Sequence, residues 1–141
     1  MKDFSHWFGQ PSANEYENDR KSLHYPNILK TDLEPLGYAS GEVSRHSFGN
    51  AVDVSLVDLQ TGKLLDMGAI FDFFDKTSHL TATPEEIGEE AFSNRELLQR
   101  GMQEFRFIPF DLEYWHFDYH EREIDIPLDF PITPDLAGLG V

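Results

Sequence analysis

The chain has 141 residues, 40% of them hydrophobic, which suits one domain with its own core and is too short for two ordinary domains. Its 26 acidic and 11 basic residues give a formal net charge of -15, which repels phosphate backbones and anionic membranes, so neither is expected as a partner. Because the sequence contains no cysteine, disulfides and thiolate chemistry are excluded, and any metal must be held by histidines and carboxylates.

The beginning of the chain has no targeting pattern. It lacks the basic start, apolar run and small-residue cleavage site of a secretory signal, and no apolar run in the sequence approaches spanning length. We therefore expect a cytoplasmic protein. Aromatic residues at helical spacing predict a short helix over residues 2–9, and the polar, proline-broken residues 10–36 predict a long surface connection.

Two regions have strand patterns. Residues 52–59 alternate with the two-residue period of a strand, and the turn residues at 60–63 predict a hairpin into the next segment. The aromatic-rich stretches FRFIPF and YWHFDY, residues 105–110 and 114–119, predict two further strands separated by a turn.

A helix is predicted between these regions. Thr83, Pro84 and Glu86 supply an N-cap, a first-turn proline and an acidic third position. Apolar residues at helical spacing continue the helix to about Phe105, with a possible break around Ser93. This order of helices and strands predicts an α+β fold, with a small central antiparallel sheet and flanking helices.

The segment SRHSFGNAVDVSLVD, residues 44–58, places His46 in a polar loop and Asp53 in the strand that follows. Side chains an odd number of residues apart on a straight strand point to opposite faces, so these two converge only if the chain reverses between them. Gly49 and Asn50 tolerate the positive φ that a reversal needs. Taken alone, the segment is better explained by a histidine on a surface loop together with a solvent-facing aspartate on an edge strand.

The segment LEYWHFDY, residues 112–119, adds Glu113 and His116 to a stretch that is otherwise built to be buried. By itself it is explained by a hydrogen-bonded core histidine and a solvated turn glutamate. Together the two segments offer two imidazoles and one carboxylate, His46, His116 and Asp53, for a tetrahedral zinc with an open fourth position. Glu113 is not needed as a ligand, and its place three residues before one lets it reach the water that zinc activates.

Two motifs resemble the signature of the zinc-dependent D-alanyl-D-alanine peptidases: Ser44-x-His46-x-x-Gly49-x-Ala51-x-Asp53 and Glu113-x-Trp115-His116. Residues 64–79, LLDMGAIFDFFDKTSH, are similar to the VanX-type D-Ala-D-Ala dipeptidase branch in particular. The resemblance runs from about Tyr25 to the DFPI sequence near the C-terminus.

The resemblance implies a zinc metallopeptidase that hydrolyses the dipeptide D-alanyl-D-alanine, with one zinc per chain on the three ligands named above and Glu113 as acid/base. It further implies that Asp72 meets the free ammonium group of the substrate and that Ser44 lines the pocket. A carboxylate amid three phenylalanines is costly to bury without a cationic partner, which agrees with that role for Asp72. A solvated aspartate at a hairpin end is the alternative.

One feature of the family has no match here. Its members carry an upstream Tyr-Arg-Pro segment whose arginine stabilises charge on the scissile carbonyl oxygen, and neither Arg20 nor Arg45 occupies a matching place. Losing one such donor lowers the rate about a hundred- to a thousandfold. We therefore expect residues 1–141 to form a single dipeptidase-like domain without the family's N-terminal part. This domain should bind zinc and be a weak or inactive dipeptidase, and its uncovered strand edge should leave it poorly soluble, marginally stable or self-associated.

Two alternatives stay open at this stage. A peptidoglycan D,D-carboxypeptidase or endopeptidase shares the metal motifs, and it differs in cleaving substrates whose amino group is blocked. A non-catalytic zinc-binding relic or binding module is the other alternative, and zinc content measured together with dipeptide turnover distinguishes it from an enzyme.

Overall fold

A computed structural model of the chain describes residues 15–40, 43–119 and 126–128. The predicted helix over residues 2–9 lies outside this part. Among the described residues, no helix is both long enough and apolar enough to cross a membrane. The helices are α1 (Glu15–His24), α2 (Pro84–Ile87) and α3 (Glu89–Glu104), and the strands are β1 (Ala51–Asp53), β2 (Phe107–Phe110) and β3 (Glu113–Tyr119).

The three strands form one antiparallel sheet in the order β1-β3-β2, so the fold is α+β as predicted. Both aromatic strands are confirmed as β2 and β3, with a register shift between Pro109 and Phe110. In the pairing of β1 with β3, Asp53 lies opposite His116 and Ala51 lies opposite Asp118. The central strand therefore carries the residues that the two sequence motifs bring together.

The strand predicted over residues 52–59 is much shorter in the structure. Only Ala51–Asp53 pairs with β3, and the hairpin that follows is reduced to a single bridge between Val57 and Leu64. Val57 and Leu64 are both exposed, because in the described part of the chain no further strand lies beside them. Alternating apolar and polar residues are not enough to form a strand, because a strand also needs a neighbouring strand to pair with.

The prediction of a long surface connection over residues 10–36 is wrong where α1 forms. This helix is polar, so no apolar periodicity signals it in the sequence. It is tied down at its C-terminal end, where the Lys21 ammonium donates to the carbonyl of Ile28 at 2.7 Å and the ring of Tyr25 is buried.

The helix predicted from Thr83 to Phe105 is present but divided at a different residue. Thr83 and Glu86 form the expected reciprocal cap, in which the Thr83 amide donates to the Glu86 carboxylate at 3.0 Å. The division falls at Gly88, whose φ of 89° ends α2, whereas Ser93 lies inside α3.

The main hydrophobic core lies against β3, and its buried members are Met67, Leu98, Tyr114, Trp115 and Phe117. Helix α3 packs on the sheet through its contacts with β2. Because Trp115 and Phe117 are almost fully buried, β3 is fixed in place, and the alternating residues His116 and Asp118 point to its other face.

Candidate metal centre and active site

His46 lies in a single 3-10 turn, Arg45–Phe48, immediately before β1. The reversal expected from the sequence occurs at Gly49, which has a φ of 66° and donates its amide to the His46 carbonyl at 3.0 Å. This turn brings the chain back into the sheet, so the imidazole of His46 faces β1 and β3. Ser44 precedes the turn and is half-buried.

Asp53 and His116 meet because they are cross-strand partners. Directly opposed residues of an antiparallel pair project to the same face of the sheet, and the Asp53 Oδ1 atom lies 3.0 Å from Nδ1 of His116. The same oxygen lies 3.3 Å from Nε2 of His46, and the two imidazole nitrogens are 3.1 Å apart.

These three separations match the edges of a tetrahedral coordination shell. With zinc bonds of about 2.0 to 2.1 Å, two ligand atoms of a tetrahedron lie about 3.3 Å apart. Two histidine nitrogens and one carboxylate oxygen therefore occupy one triangular face of such a shell, and the three residues can hold a metal ion with a fourth position left open.

The remaining hydrogen bonds decide which nitrogens are free to bind. His46 Nδ1 lies 3.2 Å from the carbonyl oxygen of Ala51, and His116 Nε2 lies 3.3 Å from a carboxylate oxygen of Asp118, so both of these nitrogens are donors. Each neutral imidazole then turns its lone pair toward Asp53. When both imidazoles are neutral, three acceptors meet here, an arrangement that a bound cation stabilises.

The same convergence shifts the pKa values of all three groups in the metal-free protein. Burial disfavours the Asp53 carboxylate, but hydrogen bonds from His116 and His46 outweigh it and hold the pKa of Asp53 at about 2. The hydrogen bond with Asp53 raises the pKa of His46. Burial opposes charge on His116, yet Asp53, Glu113 and Asp118 together raise its pKa. Without a metal, the site therefore attracts protons instead.

Glu113 stands beside the three potential ligands without joining them. Its side chain is buried, and its Oε2 atom lies 3.8 Å from Nδ1 of His116. Burial raises the pKa of Glu113 to about 7, and the negative charges of Asp53 and Asp72 add to this effect. A carboxyl group with such a pKa can accept and return a proton near neutral pH.

A cavity of about 690 Å³ opens over this cluster. All six residues predicted from the sequence line it: Ser44, His46, Asp53, Asp72, Glu113 and His116. Asp72 adopts a left-handed backbone conformation with a φ of 59°. Burial raises its pKa, and the charge of Asp53 contributes to the shift.

Sequence reasoning did not identify two residues that support the site. Asp118 holds His116, as described above, and Arg45 Nε lies 3.1 Å from the other carboxylate oxygen of Asp118. Arg20 and Arg45 both line the cavity. His116 and Asp118 are two residues apart, which places them on the same face of a strand. This spacing could have identified Asp118 from the sequence.

Two histidines and a carboxylate with converging lone pairs, beside a buried glutamate outside the set, are the donor arrangement of a catalytic metal centre in a hydrolase. The chain matches the D-ala-D-ala dipeptidase family over residues 5–132, and it belongs to this family of metallopeptidases.

Named relatives agree with the family match. The chain is 38% identical over 114 residues to a D-alanyl-D-alanine dipeptidase of Enterococcus faecalis, a match that covers 81% of this chain and 53% of the relative. It is 37% identical over 132 residues to a D-alanyl-D-alanine dipeptidase of Enterococcus faecium, covering 92% and 61%. For the Streptomyces coelicolor D-alanyl-D-alanine dipeptidase the identity is 35% over 131 residues, with 92% and 61% covered. The chain thus spans between half and two thirds of the length of these curated relatives.

Proposed function

We propose that this protein is a zinc-dependent dipeptidase that hydrolyses D-alanyl-D-alanine to two molecules of D-alanine. The observation that carries the proposal is the meeting of three lone pairs, from His46, Asp53 and His116, at tetrahedral edge distances beside a buried carboxyl group. The family match and the named relatives support the choice of reaction and of substrate.

Zinc is the metal that best fits the donor set. Two imidazole nitrogens, one carboxylate oxygen and an open fourth position form a common catalytic zinc site, whereas calcium and magnesium prefer oxygen ligands alone. When bound, zinc supplies a Lewis acid that polarises the scissile carbonyl and acidifies water.

Glu113 is the acid/base of the proposed reaction. Its carboxylate takes a proton from the attacking water and returns it to the departing amine nitrogen, so it must change its protonation state twice in each cycle. Burial supports this role, because it favours the protonated form of Glu113 that must donate to the departing amine nitrogen.

Asp72 and Ser44 complete the proposed substrate site. Both line the cavity that contains the metal ligands. The free ammonium group of the dipeptide pairs with the Asp72 carboxylate, and this pairing offsets the burial that raises the pKa of Asp72. Ser44 contributes to the cavity wall next to His46.

Metal analysis and turnover together test the proposal. Protein purified without chelators is expected to contain one zinc per chain and to release D-alanine from D-alanyl-D-alanine. Glu113→Ala should retain the zinc and lose turnover, whereas Glu96→Ala, on the exposed side of α3, should change neither quantity. Zinc without turnover in the unmodified protein would favour a non-catalytic binding role.

A second substrate separates the dipeptidase from a carboxypeptidase that shares the metal ligands. N-acetyl-D-alanyl-D-alanine has no free ammonium group to pair with Asp72, so the proposed enzyme should cleave it far more slowly than the free dipeptide. Equal rates on the two substrates would identify a D,D-carboxypeptidase or endopeptidase instead.

A further inference from the structure

Residues 67–79 carry Asp72 out of the core, along the cavity and back. Apart from the single turn Lys76–Ser78, this segment has no helix or strand to fix its shape. Asp72 nevertheless adopts a left-handed backbone conformation, with a φ of 59°, that few residues other than glycine take up. The buried Ser78 hydroxyl donates to the Phe73 carbonyl and holds part of the segment, and contacts from elsewhere hold its two ends.

Arg95, on α3, supplies contacts at both ends of the segment. Its guanidinium group donates through Nε to the Met67 carbonyl at 2.7 Å, through Nη2 to the Thr77 carbonyl at 2.8 Å, and through Nη1 to the His79 carbonyl at 3.3 Å. The side chain is only 4% exposed. One residue thus ties the start of the segment to its end.

Tyr114, next to Glu113 on β3, contacts both Arg95 and the segment. The guanidinium carbon of Arg95 lies 4.4 Å from the centre of the Tyr114 ring, and the Tyr114 hydroxyl donates to the Ala69 carbonyl at 3.0 Å. The segment is also held from its other side, where the His24 ring meets the Asp72 carbonyl at 3.1 Å and the Phe74 amide donates to the His24 carbonyl.

The chemistry of the buried Arg95 guanidinium indicates that it positions residues 67–79. Burying a charged group is rarely more stabilising than packing an apolar one of the same volume, so a buried arginine is better explained by the geometry that it imposes. A planar guanidinium reaches three carbonyl groups in fixed directions, whereas a lysine ammonium acts as a flexible point charge.

We propose that Arg95 is a positioning residue for substrate specificity: by closing residues 67–79 into a fixed loop, it holds the Asp72 carboxylate where the ammonium group of a dipeptide binds. The inference rests on the proposed function. It predicts that changes at Arg95 alter recognition of the free amino group and leave the metal centre intact.

The test measures peptide binding in zinc-loaded Glu113→Ala protein, in which the dipeptide is not consumed. Calorimetry compares D-alanyl-D-alanine with N-acetyl-D-alanyl-D-alanine. This Glu113→Ala protein, the parent of the further variants, should bind the free dipeptide about tenfold or more tightly than the acetylated one. A difference of this size is the effect of one charge-assisted hydrogen bond. Arg95→Lys should remove most of that preference without changing the zinc content or the affinity for the acetylated peptide, and Arg100→Lys, on the exposed side of α3, should have no effect.

A double-mutant cycle with Asp72→Asn separates positioning from a general loss of structure. If Arg95 acts through Asp72, Arg95→Lys has no further effect on the preference once Asp72 is changed. Tyr114→Phe, which removes only the bond to Ala69, should cause a smaller loss in the same direction, so the test holds even if Arg95→Lys folds poorly.

The outcomes separate the inference from the function on which it rests. Equal weakening of both peptides by Arg95→Lys, or additive effects of Arg95→Lys and Asp72→Asn, would overturn the positioning role alone. Zinc-loaded protein with Glu113 intact that binds the dipeptide without hydrolysing it would overturn the proposed function and leave the positioning role standing. Failure of the parent to bind either peptide would overturn both.

Discussion

Asp118 controls which nitrogen of His116 is available to a metal. It lies on the same face of β3, accepts a hydrogen bond from Nε2 of His116, and is itself paired with Arg45. A carboxylate in this position fixes the tautomer and the orientation of the ring and increases the basicity of the free nitrogen. The metal centre therefore extends at least two residues beyond the proposed ligands.

Asp118→Ala is expected to weaken zinc binding by about 10- to 100-fold, the usual effect of removing such a partner. The reason is that His116 then samples other orientations and its other tautomer. Competition with a chromogenic chelator measures the affinity, and Asp111→Ala, in the exposed turn before β3, is the control. An unchanged affinity in Asp118→Ala would show that packing alone orients the ring.

Glu113 should make the stability of the metal-free protein depend on pH. Its pKa is about 7 in the folded protein against an ordinary value of 4.5, so the folded state binds the proton more tightly than the unfolded state. The resulting stability is fully present below about pH 4.5 and is lost as the pH rises through about 7.

Glu113→Gln removes this dependence. Relative to the unmodified chain, the free energy of unfolding of the variant should increase as the pH rises from about 4.5 to about 7, by at most about 3 kcal/mol, and then level off. Denaturant unfolding of chelator-treated protein measures it, with the exposed Glu96→Gln as control. A difference that stays constant over this range would mean that burial does not hold the proton on Glu113.

At the scale of elements, the turn that ends at Gly49 determines whether His46 reaches the sheet. Its φ is 66°, and a Cβ added there would lie 3.1 Å from a methyl group of Leu128. Gly62, in the hairpin, has a φ of 69° with nothing within 4 Å of an added Cβ. The two glycines share the left-handed backbone conformation and differ in their surroundings.

Gly49→Ala and Gly62→Ala should each lower the free energy of unfolding by about 1 to 2 kcal/mol, because alanine disfavours the left-handed conformation. Only Gly49→Ala should also reduce zinc affinity, since backbone strain at this position distorts the turn that carries His46. Unfolding curves and chelator competition measure the two effects. A Gly62→Ala protein with equally weakened zinc binding would contradict the local explanation.

Elements with local signals were predictable from the sequence, and those that depend on distant partners were not. The cap at Thr83, the aromatic strands β2 and β3, and the reversal at Gly49 rest on residues a few positions apart. By contrast, α1 is polar and has no apolar stripe to reveal it, and β1 ends where pairing with β3 stops. The two motifs identified five of the six candidate site residues, and the similarity of residues 64–79 identified Asp72. Of their supports, Asp118 had a local signal in its two-residue spacing from His116, whereas Arg95 depends on tertiary contacts.

At the scale of the whole molecule, the net charge of -15 opposes folding through repulsion among acidic side chains. Screening this repulsion should stabilise the protein, so the free energy of unfolding is expected to rise between about 10 mM and about 150 mM sodium chloride. Denaturant unfolding at several salt concentrations measures it, with an uncharged osmolyte at matched osmolality as control. A fall in stability with salt would show that attractive ion pairs dominate instead.

The proposed ligands are widely separated along the chain, since His46 and His116 lie 70 residues apart. An ion that joins them to Asp53 is a cross-link that closes a loop of this length, in a chain without a cysteine to form one. A disulfide closing a comparable loop stabilises a protein by about 4 kcal/mol in the chain-entropy description. Zinc would then stabilise the fold as well as take part in the reaction. Removing it with a chelator would lower the free energy of unfolding, as reduction of the disulfides does in a small secreted domain.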